Sequence, residues 1–256
     1  MWSSPVIRFD HVTKTFITRD GETHAVEDID FTVGNGEFLS ILGPSGCGKS
    51  TLLSMLSGLF PPSKGKIFIK EEEVKGPSKE IGYMLQQDYL LGWRTIKQNI
   101  LLGLEIQGAL NEENEKRALK LLAEMGLISF KDHLPNQLSG GMRQRVALVR
   151  TLATNPGILL LDEPFSALDF QAKLKLEDLV IDTLRRKKKT AILVTHDISE
   201  AIAMSDRIVI LASRPGRIKK IIDIPDSLRI PLPFEAREKP EFQNYFQMVW
   251  KELNTK

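Results

Sequence analysis

Phe38-Leu39-Ser40-Ile41-Leu42-Gly43-Pro44-Ser45-Gly46-Cys47-Gly48-Lys49-Ser50-Thr51 is the stretch on which the fold turns. Five strand-like residues enter a glycine-rich loop, and a helical pattern over residues 50–59 follows, stopped by Pro61-Pro62. The loop fits G-x-x-x-x-G-K-[ST], and a strand before with a helix after is the context that pattern requires. Its glycines let the backbone wrap closely around an anion with N–H groups pointing inward. The positive end of the following helix favours a nearby anion by about 0.3–1 kcal/mol. Lys49 supplies a point charge for β- and γ-phosphates, and Ser50 a hydroxyl ligand for Mg2+. An ordinary strand–turn–helix gains nothing from Lys-Ser at this spacing. The whole run Gly43, Pro44, Ser45, Gly46, Cys47, Gly48, Lys49, Ser50 and Thr51 therefore reads as a phosphate cradle. Cys47 lies near a helix N-terminus, which lowers a thiol pKa, so a reactive thiol protected by nucleotide is expected. In catalysis it reads as a small spacer.

A cradle alone says only that a nucleotide binds. Ile158-Leu159-Leu160-Leu161-Asp162-Glu163-Pro164 says more: four apolar residues end in two carboxylates. Such a run reads as a strand covered on both faces, with the acids at its carboxyl end, where open α/β sheets bind ligands. Two acids there are costly unless they meet a cation or water. Asp162 is the candidate for Mg2+, and Glu163 the candidate to polarise an attacking water. Between cradle and acids lies Leu138-Ser139-Gly140-Gly141-Met142-Arg143-Gln144-Arg145. Ser139 is a good N-cap, and residues 142–151 read as helix. Gly140 and Gly141 leave backbone N–H groups at a positive helix end, a second anion site in one chain. Taken alone, this segment reads equally as a capped helix after a loop.

The remainder is consistent with one α/β chain. Short strand patterns occupy residues 6–9, 29–33, 67–69 and 81–85, with turn signals at Asp20-Gly21 and Gly34-Asn35-Gly36. Residues 95–150 are mostly helical in period. βα alternation returns with apolar runs at 191–195 and 208–211 and helices at 171–185 and 198–204. A short tail with Pro225, Pro231, Pro233 and Pro240 ends the chain. The charge runs at 71–73 and 185–189 read as solvated faces. With 35 basic and 33 acidic residues, the charge balance gives no sign of nucleic acid. One cysteine excludes an internal disulfide and fits a reducing compartment. The first residues lack a signal-peptide pattern and no apolar run nears the ~20 residues a spanning helix needs. The expectation is a soluble cytoplasmic protein that reaches a membrane through a partner.

The order of the phosphate loop, residues 138–144, Asp162-Glu163, Ser166-Ala167-Leu168-Asp169 and Thr195-His196-Asp197 resembles that of ABC-transporter ATPase subunits, over residues 5–220. Ser-Gly-Gly separates that family from other phosphate-loop ATPases. The resemblance implies a phosphate-loop ATPase core with an N-terminal antiparallel β subdomain and an inserted α-helical subdomain. Its expected divisions are 1–87 and 156–224 for the core, 88–155 for the helical subdomain, and 225–256 for the tail. Phe16 resembles the aromatic that stacks on adenine, the alternative being a strand-end core residue. Gln86 resembles the glutamine that touches Mg2+ and water and senses the permease, with Gln87 as its competitor. Asp169 resembles the residue organising the subunit contact, and His196 the switch histidine at the γ-phosphate. The cofactors implied are ATP and Mg2+. The implied partners are a second copy in a head-to-tail homodimer, integral membrane permease subunits and, indirectly, an extracytoplasmic solute-binding protein. ATP lies between the loop of one copy and Ser139-Gly140-Gly141 of the other. The implied location is the cytoplasmic face of the cell membrane.

Two positions depart from the family pattern: Met142 stands where many relatives have glutamine, and Gly92 where proline is expected before Trp93. Gly-Gly-Met-Arg-Gln-Arg, Leu90-Leu91-Gly92-Trp93-Arg94-Thr95-Ile96 and Arg214-Pro215-Gly216-Arg217-Ile218 resemble the branch serving nitrate, sulfonate and taurine importers. That branch also serves thiamine-precursor pyrimidines, so the cargo stays open. Trp93 reads either as an interface anchor or as a residue packed within the helical insert. A non-transport ABC ATPase would carry a second ATPase half, a coiled-coil or a zinc insert. A phosphotransferase would leave residues 138–144 unexplained.

Overall fold

The computed structural model describes residues 5–18, 21–166 and 168–255. Residues 1–4, Asp20 and Ala167, which enter the sequence reading, lie outside them. In chain order the elements are β1 (Pro5–Thr18), β2 (Gly21–Gly34), β3 (Phe38–Leu42), α1 (Lys49–Leu56), β4 (Lys64–Ile69), β5 (Glu72–Glu73) and β6 (Ile81–Met84). The helices α2 (Ile96–Ile106), α3 (Glu112–Glu124) and α4 (Gly140–Ala153) follow, then β7 (Ile158–Asp162) and α5 (Phe170–Arg186). The chain closes with β8 (Thr190–Thr195), α6 (Ile198–Met204), β9 (Arg207–Leu211), β10 (Ile218–Asp223), α7 (Asp226–Arg229), α8 (Pro233–Arg237) and α9 (Pro240–Asn254). They form two compact units, residues 1–78 with 174–256, and residues 79–173.

In the first unit an antiparallel sheet runs β2-β1-β4-β5. Its two leading strands are 14 residues each, longer than their hydrophobic patterns suggest, because bulges interrupt the alternation. His11 (φ 48°) and Asp28 (φ 52°) mark them. A second sheet runs β10-β9-β3-β8, with β3 parallel to β8 and β9, and β10 antiparallel to β9. Every residue of β3 and β8 is buried, as a parallel strand covered on both faces requires. In the second unit β6 lies parallel to β7, with Met84 opposite Leu161. Helices α2 and α3 pack on α4.

The helix after the loop ends three residues earlier than its pattern suggests. Gly58 (φ 78°) follows the C-cap Ser57, and the Gly58 and Leu59 N–H groups donate to Met55 and Ser54 carbonyls. This left-handed glycine cap stops the helix before the prolines are reached. The C-terminal segment carries the three helices α7, α8 and α9. Pro233 and Pro240 sit in the first turns of α8 and α9, where a missing N–H costs nothing. Leu228, Phe242 and Val249 bury against Ala201, Ile202 and Leu42. Each such side chain contributes about 1.5–3 kcal/mol on burial.

Candidate functional site: a phosphate loop and a carboxylate turn

In the first unit, β3 delivers the chain into the loop at Gly43. Gly46 (φ 75°) and Gly48 (φ 92°) take left-handed conformations that side chains rarely adopt. Gly48 is also the N-cap of α1 and no side chain caps that helix. The first amides of α1 are thereby presented to the loop interior. The Lys49 ammonium donates to the carbonyl oxygens of Gly43 (2.7 Å) and Pro44 (3.0 Å). A largely buried cation is thus held inside the loop by the loop's own backbone. Pro44, Ser45 and Gly46 form an exposed rim, and Ser50 is exposed on the first turn of the helix.

Register brings His196 to the same end of the sheet. Leu42 pairs with Thr195 across β3 and β8, so Gly43 and His196 leave neighbouring parallel strands side by side. His196 is exposed, and Asp197 caps α6 through the Ser199 and Glu200 amides. Phe16 is 37% exposed and meets Phe60 edge-on at 5.7 Å. The Lys14 ammonium lies 5.3 Å and 4.8 Å from the two ring centroids. Phe16 is therefore not a core residue; it offers an accessible aromatic surface.

Cys47 overturns one expectation. The side chain is fully buried, and burial pushes its thiol pKa up, with Lys49 nearby opposing the shift. Desolvation of the thiolate outweighs the helix end that was expected to lower it. Its surroundings also explain Gly216. A Cβ on Gly216 would lie 2.0 Å from the Cys47 carbonyl oxygen. Gly216 is tied there by Glu27 N–H to Gly216 O (2.9 Å) and Gly216 N–H to Ala25 O (3.0 Å). The segment 214–217 thus braces the outside of the phosphate loop.

The second unit holds the acids. Asp162 ends β7 and is 6% exposed. Glu163 follows at φ 48°, a left-handed conformation costing on the order of 1–3 kcal/mol for a side-chain-bearing residue. The Ser166 amide (3.2 Å) and hydroxyl (3.0 Å) donate to the Glu163 carbonyl and hold the turn. Since Met84 is paired with Leu161, Gln86 emerges beside Glu163, and its Nε2 donates to Glu163 Oε2 at 3.1 Å. Asp169 caps α5 by accepting from the Ala172 amide at 2.9 Å.

Ser139 caps α4, accepting from the Met142 amide at 3.3 Å, and α4 begins at Gly140 rather than at residue 142. A Cβ on Gly141 would lie 2.8 Å from a Leu168 methyl. Helix α4 also grips the loop after β6, which the sequence reading missed. Arg143 Nε donates to Asp88 Oδ2 (2.9 Å), Gln144 to the Gln86 carbonyl (3.4 Å), and Arg150 to the Asp88 (2.6 Å) and Tyr89 (2.8 Å) carbonyls. Motif spacing carries no signal for these, because the bonds go to backbone and to a residue 55 positions away. Trp93, in the same loop, is 78% exposed, which excludes packing within the helical insert.

The ABC transporter family pattern matches residues 26–166, from β2 through the turn that holds Glu163. The chain belongs to the ABC transporter ATPases. An ABC transporter ATP-binding protein of Bacillus subtilis, YtlC, is 56% identical over 97% of this chain and 96% of its own length. The aliphatic sulfonates import ATP-binding protein SsuB of Bacillus licheniformis is 42% identical over 94% of this chain and 92% of its own. Among solved structures, a dimeric post-hydrolysis state of the ATP-binding cassette MJ0796 with ADP and Pi superposes with a TM-score of 0.77. It is 33% identical and covers 86% of this chain and 99% of that one. This ABC ATPase therefore binds and hydrolyses ATP and resembles the sulfonate-importer branch. Among the described residues, no helix is long and apolar enough to cross a membrane.

Proposed function

We propose that this chain is the ATP-hydrolysing subunit of an importer, driving solute uptake through partner permease subunits at the cytoplasmic face of the cell membrane. The observation that carries the reading is the pairing of Gln86 with Glu163 on adjacent strand ends, next to the loop held by Arg143 and Arg150. A group that orients water is thereby continuous with an exposed loop bearing Tyr89 and Trp93, suited to a membrane subunit. The importer direction and the nitrate/sulfonate/taurine cargo class rest on the resemblance and on the named relative. Two copies pair head to tail in this reading. Each nucleotide then meets Gly43–Thr51 of one copy and Ser139, Gly140 and Gly141 of the other, with Asp169 at the contact.

The residues have distinct tasks. Phe16 stacks on the base. The loop amides and Lys49 bind the phosphates. Glu163 polarises the attacking water, Gln86 orients it, and His196 contacts the γ-phosphate. Ser50, Gln86 and Asp162 are the residues that would hold Mg2+. Their hydroxyl, amide and carboxylate oxygens are the hard donors that cation takes. Bound there, Mg2+ would neutralise charge on the phosphates.

Glu163→Gln tests the reading. It keeps size and hydrogen bonding but removes the carboxylate. ATP binding should persist while phosphate release falls 10²–10⁴-fold, about 3–5 kcal/mol of barrier. Size-exclusion chromatography with ATP should show a dimer that is absent without nucleotide. Near-normal phosphate release would move the catalytic role away from Glu163.

A further inference from the structure

Strand β8 ends at Thr195 and α6 begins at Ile198, so His196 and Asp197 are the entire connection between them. One buried hydroxyl pins both sides of that connection. Thr195 Oγ1 donates to Glu200 Oε2 and accepts from the Asp197 amide at 3.0 Å. Asp197 Oδ1 in turn accepts from the Ser199 (2.7 Å) and Glu200 (3.2 Å) amides. Thr195 is 2% exposed and Glu200 4%, whereas His196 is exposed at the sheet end beside the phosphate loop.

A carboxylate that deep is costly unless its oxygens are hydrogen-bonded, so its presence needs a reason other than packing. Packing does not supply one. Ala201, Ile202 and Ala203 already bury the apolar surface of α6. The carboxylate instead accepts from the Thr195 hydroxyl, which itself accepts from the Asp197 amide, so the end of β8, the turn and the first turn of α6 are tied together by hydrogen bonds. A two-residue connection has no slack to absorb a change at either end.

We infer that Glu200 is a positioning residue for His196, acting through the Thr195 hydroxyl and the Asp197 amide. The inference rests on the assignment of His196 to the γ-phosphate. It adds a buried residue that acts through the chain, and it makes the strand–helix turn a preset part of the site.

Steady-state ATPase kinetics on the full-length chain test it. Thr195→Val keeps shape and removes the donor; Glu200→Leu removes the acceptor; Glu200→Gln keeps an acceptor oxygen. Thr195→Val and Glu200→Leu should lower kcat roughly 10- to 100-fold while KM for ATP changes less than about twofold. Glu200→Gln should retain kcat within about threefold of wild type. In a His196→Ala background, Thr195→Val should cost nothing further, because both changes remove the same contribution. If Glu200→Leu fails to fold, the isosteric Thr195→Val decides. Wild-type kcat in Thr195→Val, or a full additional loss in the His196→Ala background, overturns the positioning role. Wild-type kcat in His196→Ala alone removes the assignment beneath it, which is a distinguishable result.

Discussion

Replacing Gly216 with alanine should damage a nucleotide site that the residue never enters. The added methyl would lie 2.0 Å from the Cys47 carbonyl oxygen and 3.2 Å from the Ala25 carbonyl oxygen. Both neighbours are backbone, so no side chain can swing away. An ordinary carbon–oxygen contact lies at roughly 3.3 Å, so one segment must retreat by about 1.3 Å. Overpacking of this kind costs about 1–3 kcal/mol. Retreat of the 214–217 segment also weakens the Gly216 bonds to Glu27 and Ala25, at about 1 kcal/mol each. The expected loss of stability is therefore about 3–5 kcal/mol. If the phosphate loop retreats instead, the carbonyl that moves belongs to Cys47, and ATP affinity should fall at least tenfold, about 1.4 kcal/mol. Urea unfolding measures the first quantity and titration with a fluorescent ATP analogue the second. Gly76→Ala is the control, since its methyl would meet nothing within 4 Å. Wild-type unfolding together with wild-type ATP affinity in Gly216→Ala would refute the bracing argument.

Two further predictions concern single side chains. Cys47 should resist alkylation in the folded chain, with or without ATP, and Cys47→Ala should keep ATPase activity; rapid labelling of native protein detected by mass spectrometry would contradict its burial. Trp93→Ala should leave the unfolding free energy within about 0.5 kcal/mol of wild type yet reduce uptake by the assembled transporter, measured with the permease in vesicles. Unchanged uptake would remove Trp93 from the docking surface.

The parts of this molecule that the sequence discloses are those where local chemistry and tertiary structure agree. Residues 158–161 are apolar without alternation because β7 is buried on both faces, and the carboxylates follow where the strand ends. Ser139 announces α4 because its hydroxyl caps the helix. The rest fails for identifiable reasons. Gly58 ended α1 before the prolines did, since a left-handed glycine is a stronger local stop than a proline several residues on. Strand β10 alternates in burial, but half-buried Lys220 and exposed Ile221 break the match between residue type and face, so its sequence shows no period of two. In the last segment the sequence shows little beyond its prolines, two of which, Pro233 and Pro240, occupy first helical turns. The Arg143 and Arg150 bonds to a distant loop, and the closure of Cys47 beneath Gly216, depend on long-range contacts to which no spacing rule applies.

The discontinuity of the first unit has a consequence during synthesis. Strand β3 is wholly buried, yet its neighbours β8 and β9 lie about 150 and about 165 residues downstream. At 5–20 residues per second, ribosomes need about 8–30 s to deliver them. For that interval Phe38, Leu39, Ile41 and Leu42 form an apolar strand without its native partners. The contiguous stretch 79–173 has all its own residues before they arrive. The nascent chain therefore passes through a stage in which the phosphate loop has been made but its sheet has not. At that stage the unpaired strand is the segment most exposed to aggregation, and the one a chaperone would be expected to bind.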